Sequence, residues 1–265
     1  FYIEAENQQQ ELSEKQNVKY KLLHDRVQQA AYSLIPKEQK QATHYHIGKL
    51  LLQKISTEDR ENRIFELVNQ LNYGTDLIKD QKERTQLANL NLIACRKAKS
   101  TIAYQVGREY GDVGLSLLGE NAWEQQYEMS LAFHNELAEL AFLCGNFEEM
   151  EEFVEIVILK ANSLIEQVNV YRIKIQAKSS QNKLTEAIAS GTKLLEKLGI
   201  IFPENPTENH IQQEFAEIQR LIGSRKIEDL VNLPIMTDAE KIAIVNIACS
   251  ITPTAYIVGS ALLPL

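Results

Sequence analysis

The chain has 265 residues, 44% of them hydrophobic and 24% charged, with a formal net charge of −8. This composition excludes a wholly disordered chain, and the length suffices for one elongated domain or two smaller ones. The balance is acidic, and Lys and Arg are scattered singly or in pairs such as Arg96-Lys97. We therefore expect no nucleic-acid partner.

The first 23 residues have the pattern of β structure. Val18, Tyr20 and Leu22 alternate with Lys19 and Lys21, which is the period of a half-buried strand. Together with "FYIEA" and the polar stretch "ENQQQELSEKQN", this alternation predicts a hairpin that ends before His24.

From residue 25 onward the apolar period is 3.6, and Gly and Pro are scarce at 11 and 6 residues. Both features predict a succession of α-helices. Pro36 is expected to end the first helix and start the next. The predicted apolar stripes are Val27-Ala30-Ala31-Leu34-Ile35, Ile64-Leu67-Val68-Leu71, Ala103-Val106-Gly107-Tyr110-Gly114-Leu117, Phe147-Met150-Val154-Val157-Ile158-Ala161, Leu184-Ala187-Ile188-Gly191-Leu194-Leu195-Leu198 and Ile211-Phe215-Ile218-Leu221-Ile222.

The breaks between these helices recur at a repeat-like spacing. They lie near Lys99-Ser100, Gly145-Asn146, Asn182-Lys183 and Gly223-Ser224, which are about 40 residues apart. "AFLCGNFEEMEEFVEIVI" and "AKSSQNKLTEAIASGTKLL" resemble the tetratricopeptide (TPR) turn, although its tryptophan–leucine–glycine signature is absent. We expect a mostly α fold, a TPR-like α-solenoid of about five antiparallel helix pairs. Thr207, and Thr237 or Asp238, suit helix N-caps.

The chain shows no catalytic or metal-binding constellation. His44 and His46 are two residues apart and point to different sides of a helix, so we expect no metal site. His134 is predicted to be a hydrogen-bonded core residue. The acidic run from Glu148 to Glu155 is either a solvated helix start or a patch for a basic partner. Because phosphate loops and kinase glycine loops are absent, we expect no enzyme activity and no cofactor in this segment.

The cysteines and the apolar runs predict the cellular compartment of the protein. Cys95, Cys144 and Cys249 are far apart, which is typical of reduced thiols in the cytoplasm. The longest apolar runs are shorter than the roughly 18 residues of a membrane helix, so no membrane insertion is expected. The chain starts without Met and in mid-pattern, so we expect a fragment of a longer protein.

The pair His24-Asp25 stands where the period changes. One interpretation is a plain strand-to-helix junction at which Asp25 caps backbone N–H groups. The other comes from a resemblance: "LLHDRVQQAAY" resembles the end of the winged-helix subdomain of STAND ATPases. That family has a Met-His-Asp-like motif; Leu23 replaces the Met, while His24 and Asp25 match.

"HDRVQQAAYSLIP", "THYHIGKLLL", "LVNQLN" and "NLPIMTD" look like one cyanobacterial-type subfamily of multidomain kinases. Its members join a serine/threonine kinase, a STAND ATPase, helical repeats, GAF-type sensors and a sensor histidine kinase. The resemblance implies that residues 1–36 end a winged helix and that 37–265 form a TPR-like domain truncated at its C-terminus. His24 and Asp25 would then sense ATP or ADP held, with Mg, by an ATPase core outside this chain.

The resulting prediction is a regulatory and scaffolding segment of a large signalling kinase. Its partners would be other domains of the same polypeptide or a signalling protein, and it would relay the state of the ATPase. The alternative is the helical-repeat segment of a STAND-type transcription activator. The residues beyond Leu265 would separate the two, because a sensor kinase or a helix-turn-helix would follow.

Overall fold

The computed structural model describes residues 25–56, 58–203 and 207–259. Within these ranges the chain forms twelve α-helices and two short 3₁₀ helices, with no strand. The mostly α prediction is therefore confirmed for the described residues. The predicted hairpin before His24 lies outside them.

The helices follow one another along the chain. In chain order they are α1 (Asp25–Ser33), α2 (Lys37–Lys54), α3 (Ile64–Asn72), α4 (Gln81–Ser100), α5 (Tyr104–Leu118), α6 (Ala122–Gln125), α7 (Tyr127–Leu143), α8 (Phe147–Lys160), α9 (Leu164–Ser180), α10 (Leu184–Lys197), α11 (Glu208–Ile222) and α12 (Ala239–Val258). The 3₁₀ helices are Thr75–Leu77 and Ile227–Asn232.

The chain divides into two compact units between Gln81 and Lys82. In the first unit α2 packs against α3, because Gly48 lets the helices approach closely. A Cβ at Gly48 would lie 2.5 Å from Leu71 Cδ2. The predicted stripe of α3, from Ile64 to Leu71, is buried as expected. The predicted domain boundary between residues 36 and 37 stays a prediction.

Helix α1 forms where the sequence predicts it, but its apolar stripe is not covered by the described residues. Val27 is 43% exposed, and Leu34, which follows the end of α1, is 84% exposed. Pro36 is the N-cap of α2, as predicted. The prediction of a helix here is therefore confirmed, whereas burial of its apolar side was not found.

The second unit contains adjacent helices packed in pairs, α7 with α8 and α9 with α10. Only three residues separate the helices of each pair, so the helices run antiparallel. Both turns close in the same way, with Asn146 N–H donating to Ala141 O at 2.8 Å and Lys183 N–H donating to Lys178 O at 2.9 Å. A residue with positive φ precedes each donor, Gly145 at 80° and Asn182 at 59°.

The turn between α4 and α5 repeats this closure. Ala103 N–H donates to Ala98 O at 2.9 Å, and Ile102 before it has φ 66°. The two helices also lie close together, because a Cβ at Gly107 would be 3.3 Å from Cys95 O. Three helix pairs of the second unit thus share one turn geometry.

Two apolar clusters lie in the core of the second unit, beside further buried residues of α4 and α5 such as Leu87 and Leu117. The first joins α7, α8 and α9 through residues such as Ala138, Met150 and Ile173. The second joins α9, α10 and α12 through residues such as Ile175, Leu194 and Ile247. The stripe predicted for α10 is buried from Ala187 to Leu198. A Cβ at Gly191 would meet Ile251 of α12 closer than carbon atoms normally approach.

Helix α12, not α11, is the next helix to pack on α9 and α10. Helix α11 is capped by Thr207, as predicted, but it has no buried residue. Its stripe is exposed instead, with Phe215 at 50% and Leu221 at 60%. Asp238 caps α12, since its Oδ1 accepts from Glu240 N at 3.0 Å and Lys241 N at 3.2 Å.

By length and composition alone, α12 is apolar enough to cross a membrane, and among the described helices no other one is. Sequence inspection did not single it out, because polar residues interrupt its apolar runs. One face of α12 packs on α9 and α10 through Ala243, Ile247 and Ile251. The expectation of no membrane insertion stays a prediction.

Candidate functional site

The predicted nucleotide-sensing pair lies at the edge of the described structure. His24 is outside the described residues, and Asp25 is the first residue of α1. The side chain of Asp25 is not described either. The proposed contact of this pair with ADP therefore stays a prediction.

The other histidines have structural partners or solvent around them. His44 hydrogen-bonds to both Tyr32 and Gln70, and His46 is exposed. His134 is buried, and its Nδ1 lies 2.7 Å from Ser130 O, so the predicted core histidine is confirmed. Burial lowers the pKa of His134, and the hydrogen bond to Ser130 opposes this only in part. Within the described ranges, no His, Cys, Asp and Glu cluster could hold a metal ion.

The acidic run at the start of α8 is partly neutralised inside the second unit. Arg108 pairs with Glu149 at 2.6 Å, and Lys174 pairs with Glu155 at 2.8 Å. Glu148 and Glu152 are exposed. They border a cleft of about 840 Å³, whose other lining residues include Gly145, Asn146, Lys178, Gln181 and Lys183. The pairing favours a structural role for Glu149 and Glu155.

A continuous surface forms across the outward sides of α4, α7 and α9. On α9, Ile165, Asn169 and Arg172 follow one another at positions i, i+4 and i+7 and therefore share a helix side. Asn169 Nδ2 donates to Asn135 Oδ1 of α7 at 3.0 Å. Arg96 of α4 donates to Glu136 of α7 at 2.7 Å. We call this the α4–α7–α9 surface, defined by Arg96, Asn135, Ile165, Asn169 and Arg172.

Ion pairs join α4 to α7 within this surface. Lys99 of α4 reaches both Glu136 and Glu139 of α7, at 2.5 and 2.6 Å. Burial lowers the pKa of Lys99, but its hydrogen bonds to Glu136 and Glu139 outweigh burial, so the pKa is raised. Lys99 therefore stays charged, and the network is fixed at neutral pH.

The chemistry of the surface suits protein recognition. Ile165 is 45% exposed, and Arg172 is exposed without an ion pair to the described residues. Amides and a guanidinium can bind backbone carbonyls and carboxylates, and an exposed isoleucine adds an apolar contact. Sequence inspection missed these residues. The available signal was the 34-residue spacing between Asn135 and Asn169 on the first helices of consecutive pairs.

The cysteines differ strongly in environment. Cys95 is buried between α4 and α5, and burial, followed by the charge of Glu136, raises the pKa of its thiol to about 12. Cys144 is half-buried and Cys249 is exposed. Cys95 is thus protonated at neutral pH and is no candidate nucleophile.

Comparison with known proteins gives one informative relative. The chain is 28% identical over 241 residues to "Hybrid signal transduction histidine kinase G" of Dictyostelium discoideum. The match covers 81% of this chain but only 7% of that kinase. No family model and no solved structure matches the chain. The chain is therefore a helical segment distantly homologous to part of a hybrid histidine kinase.

Proposed function

We propose that this chain is a regulatory and scaffolding segment of helical repeats within a large signal-transduction kinase. The observation that carries the proposal is the relative, a hybrid histidine kinase that matches most of this chain over a small part of its own length. Such a ratio is what one module of a multidomain protein produces. The described residues form adjacent packed helices, the elements from which helical-repeat binding modules are built.

The repeat architecture is a second part of the proposal. Support comes from the shared turn closure at Ile102, Gly145 and Asn182, and from contacts between first helices of consecutive pairs. Asn135–Asn169 links the first helices α7 and α9, and Ser179–Thr254 at 2.8 Å links α9 to α12, the helix that packs next. Stacked pairs of this kind build a TPR-like solenoid whose inner surface is lined by the first helices. The α4–α7–α9 surface would be that inner surface.

The partner would be another domain of the same polypeptide or a separate signalling protein, not nucleic acid or membrane. Exposed Arg172 beside Asn169 and Ile165 favours a segment that offers backbone carbonyls or carboxylates with an apolar side chain. The similarity to a hybrid histidine kinase favours a signalling kinase over the alternative, a STAND-type transcription activator. The whole protein would be cytoplasmic and would carry the serine/threonine and histidine kinase activities, with ATP and Mg, outside this chain.

His24 and Asp25 would connect the segment to a STAND ATPase module. His24 would contact ADP phosphates in the closed state, and Asp25 would cap α1. A charged hydrogen bond is worth roughly 1.5–3 kcal/mol, so His24→Ala should weaken ADP binding by about 10- to 150-fold. Asp25→Ala should lower stability more than ADP affinity. If wild type and His24→Ala bind ADP equally well in the full-length protein, His24 and Asp25 form only a strand-to-helix junction.

The surface is tested by charge reversal in the full-length kinase. Arg172→Glu should change signal-dependent autophosphorylation, because it places a carboxylate where acceptor groups bind. Lys193→Glu is the matched control: it is an equal charge change at an exposed position of α10, the second helix of its pair. Both variants should melt like the wild type. Unchanged autophosphorylation in Arg172→Glu, or an equal change in both variants, would contradict the proposal.

A further inference from the structure

Helix α12 lacks the charged outer side that a solvent-exposed helix normally has. From Ile242 to Gly259 it carries no charged side chain. Its inner side packs on α9 and α10. The opposite side is exposed and carries Ile242, Val245, Cys249 and Tyr256. These four residues lie at positions i, i+3, i+7 and i+14, so they form one stripe, which we call the outer α12 stripe. A helix without a charged side normally has both of its sides buried.

The packing of α12 matches that of the first helix of a pair. Helix α9 packs on α7 and α8 of the preceding pair and on α10, the second helix of its own pair. Helix α12 packs on the preceding pair in the same manner, through its contacts with α9 and α10. Among the described helices, however, no helix packs extensively on α12 in the way that α10 packs on α9. The outer α12 stripe is the side that is left for such a helix.

The C-terminus of α12 has the geometry that opens the turn inside a helix pair. Gly259 has φ 67°, and its N–H donates to Tyr256 O at 3.1 Å. After α7, Gly145 has φ 80°, and its N–H donates to Phe142 O at 2.9 Å. Gly199 ends α10 in the same way and leads into a loop, so this closure by itself does not specify a following helix. It allows an antiparallel return after Gly259, and the uncovered stripe is the side on which a returning helix would pack.

We propose that the outer α12 stripe is the docking surface for a helix that follows Gly259 in the longer polypeptide. Residues 260–265 are too few to cover α12, so most of this helix would lie beyond Leu265. It would be amphipathic, with its apolar side on Val245 and Cys249 and its polar side outward. The inference rests on the proposed function in one respect, namely that this segment continues into a larger protein. The match to only 7% of the kinase relative supports that premise.

Thiol labelling at Cys249 tests the proposal. Cys249 is exposed on the outer α12 stripe of the 265-residue chain, and mass spectrometry can follow its reaction with a maleimide. In the full-length protein the reagent should label Cys249 about 10-fold more slowly or less, because the covering helix must first open. Equal labelling rates in the full-length protein and in the 265-residue chain would overturn the proposal.

A matched pair of variants shows whether the protection depends on the stripe. Val245→Glu places a charge in the apolar contact, so labelling of Cys249 in the full-length protein should return to within about 2-fold of the rate in the 265-residue chain. Val231→Glu is the same change at a residue that lies outside α12 and is 85% exposed, and it should leave Cys249 protected. Buried Cys95 should stay unlabelled in both variants, which shows that the core remains folded. Protection that survives Val245→Glu, or that both variants remove equally, would contradict the proposal.

Two measurements on the 265-residue chain test other occupants of the stripe. Protection of Cys249 that rises with protein concentration would assign the stripe to a second copy. Protection on addition of phosphatidylcholine vesicles would assign it to a membrane, and either result would overturn the proposal. The outcome is separate from that of the scaffold proposal, because Arg172→Glu should leave Cys249 protected whether or not it changes autophosphorylation.

Discussion

At the scale of single residues, His134 links burial to pH. Its ring lies between Trp123 and Phe153, with centroids 4.9 and 5.8 Å away. Burial lowers its pKa in the folded state, so the unfolded chain binds a proton more readily. Stability is therefore complete above the unfolded pKa of about 6.5, and it falls as the pH drops from there through the lowered folded pKa.

We predict that His134→Gln removes this part of the pH dependence. The variant should be less stable than the wild type at pH 7.5, because Gln packs poorly between two aromatic rings. The stability difference should shrink between pH 7 and pH 5, since only the wild type loses stability there by protonation of His134. Urea unfolding at a series of pH values measures both free energies. Parallel pH profiles would show that His134 does not titrate in this range.

At the residue scale, the sequence predicted burial where the position of a residue on its helix was enough to indicate it. His134 shares a side of α7 with Tyr127 and with the fully buried Ala138, and burial followed from that placement. The hydrogen bonds of His44 to Tyr32 and Gln70, and the α4–α7–α9 surface, were not predictable in this way. Tyr32, His44 and Gln70 are brought together by packing of three helices, and a side chain's partner across helices leaves no local pattern.

At the scale of elements, the turns between paired helices contain one strained residue. Gly145 and Asn182 suit the left-handed conformation at their positions, but Ile102 is β-branched and has φ 66°. A left-handed residue with a branched Cβ costs roughly 1–2 kcal/mol. Its side chain is 73% exposed, so little packing offsets the strain.

We predict that Ile102→Gly stabilises the chain, by up to about 1 kcal/mol after the entropy cost of glycine is subtracted. Gly145→Ile is the reciprocal change in an equivalent turn, where φ is 80°, and it should destabilise by a similar or larger amount. Thermal unfolding of the two variants measures both effects. A lower melting temperature for Ile102→Gly would mean that the Ile102 side chain has a stabilising role that outweighs its backbone strain.

Two equally clear stripes show what periodicity can and cannot predict. The stripe on α10 was predicted and is buried, with Leu194 and Leu195 fully inaccessible. The stripe on α11 also follows the helical period, yet Phe215 and Ile218 are exposed. Spacing identifies which side of a helix is apolar, but burial depends on which helix packs there. Helix α12 takes the place on α9 and α10 that chain order alone would give to α11.

At the scale of the whole molecule, sequence patterns predicted the helical class and most helix breaks. Helix α4 ends at Ser100, and the turns after α7 and α9 fall at Gly145-Asn146 and Asn182-Lys183, as expected. The division between Gln81 and Lys82 was not anticipated, since no proline or glycine cluster marks it. The 28% identity to a hybrid histidine kinase agrees with the resemblance of the sequence to multidomain signalling kinases.

The most direct test of the account compares hydrogen exchange of this segment alone and within the full-length protein. If the segment is a scaffold that binds a neighbouring domain, amides of α7 and α9 should be protected in the full-length protein relative to the isolated 265-residue chain. Arg172→Glu should remove that protection and leave the buried core around Leu194 unchanged. Identical exchange of α7 and α9 in both contexts, with and without Arg172→Glu, would contradict the central claim.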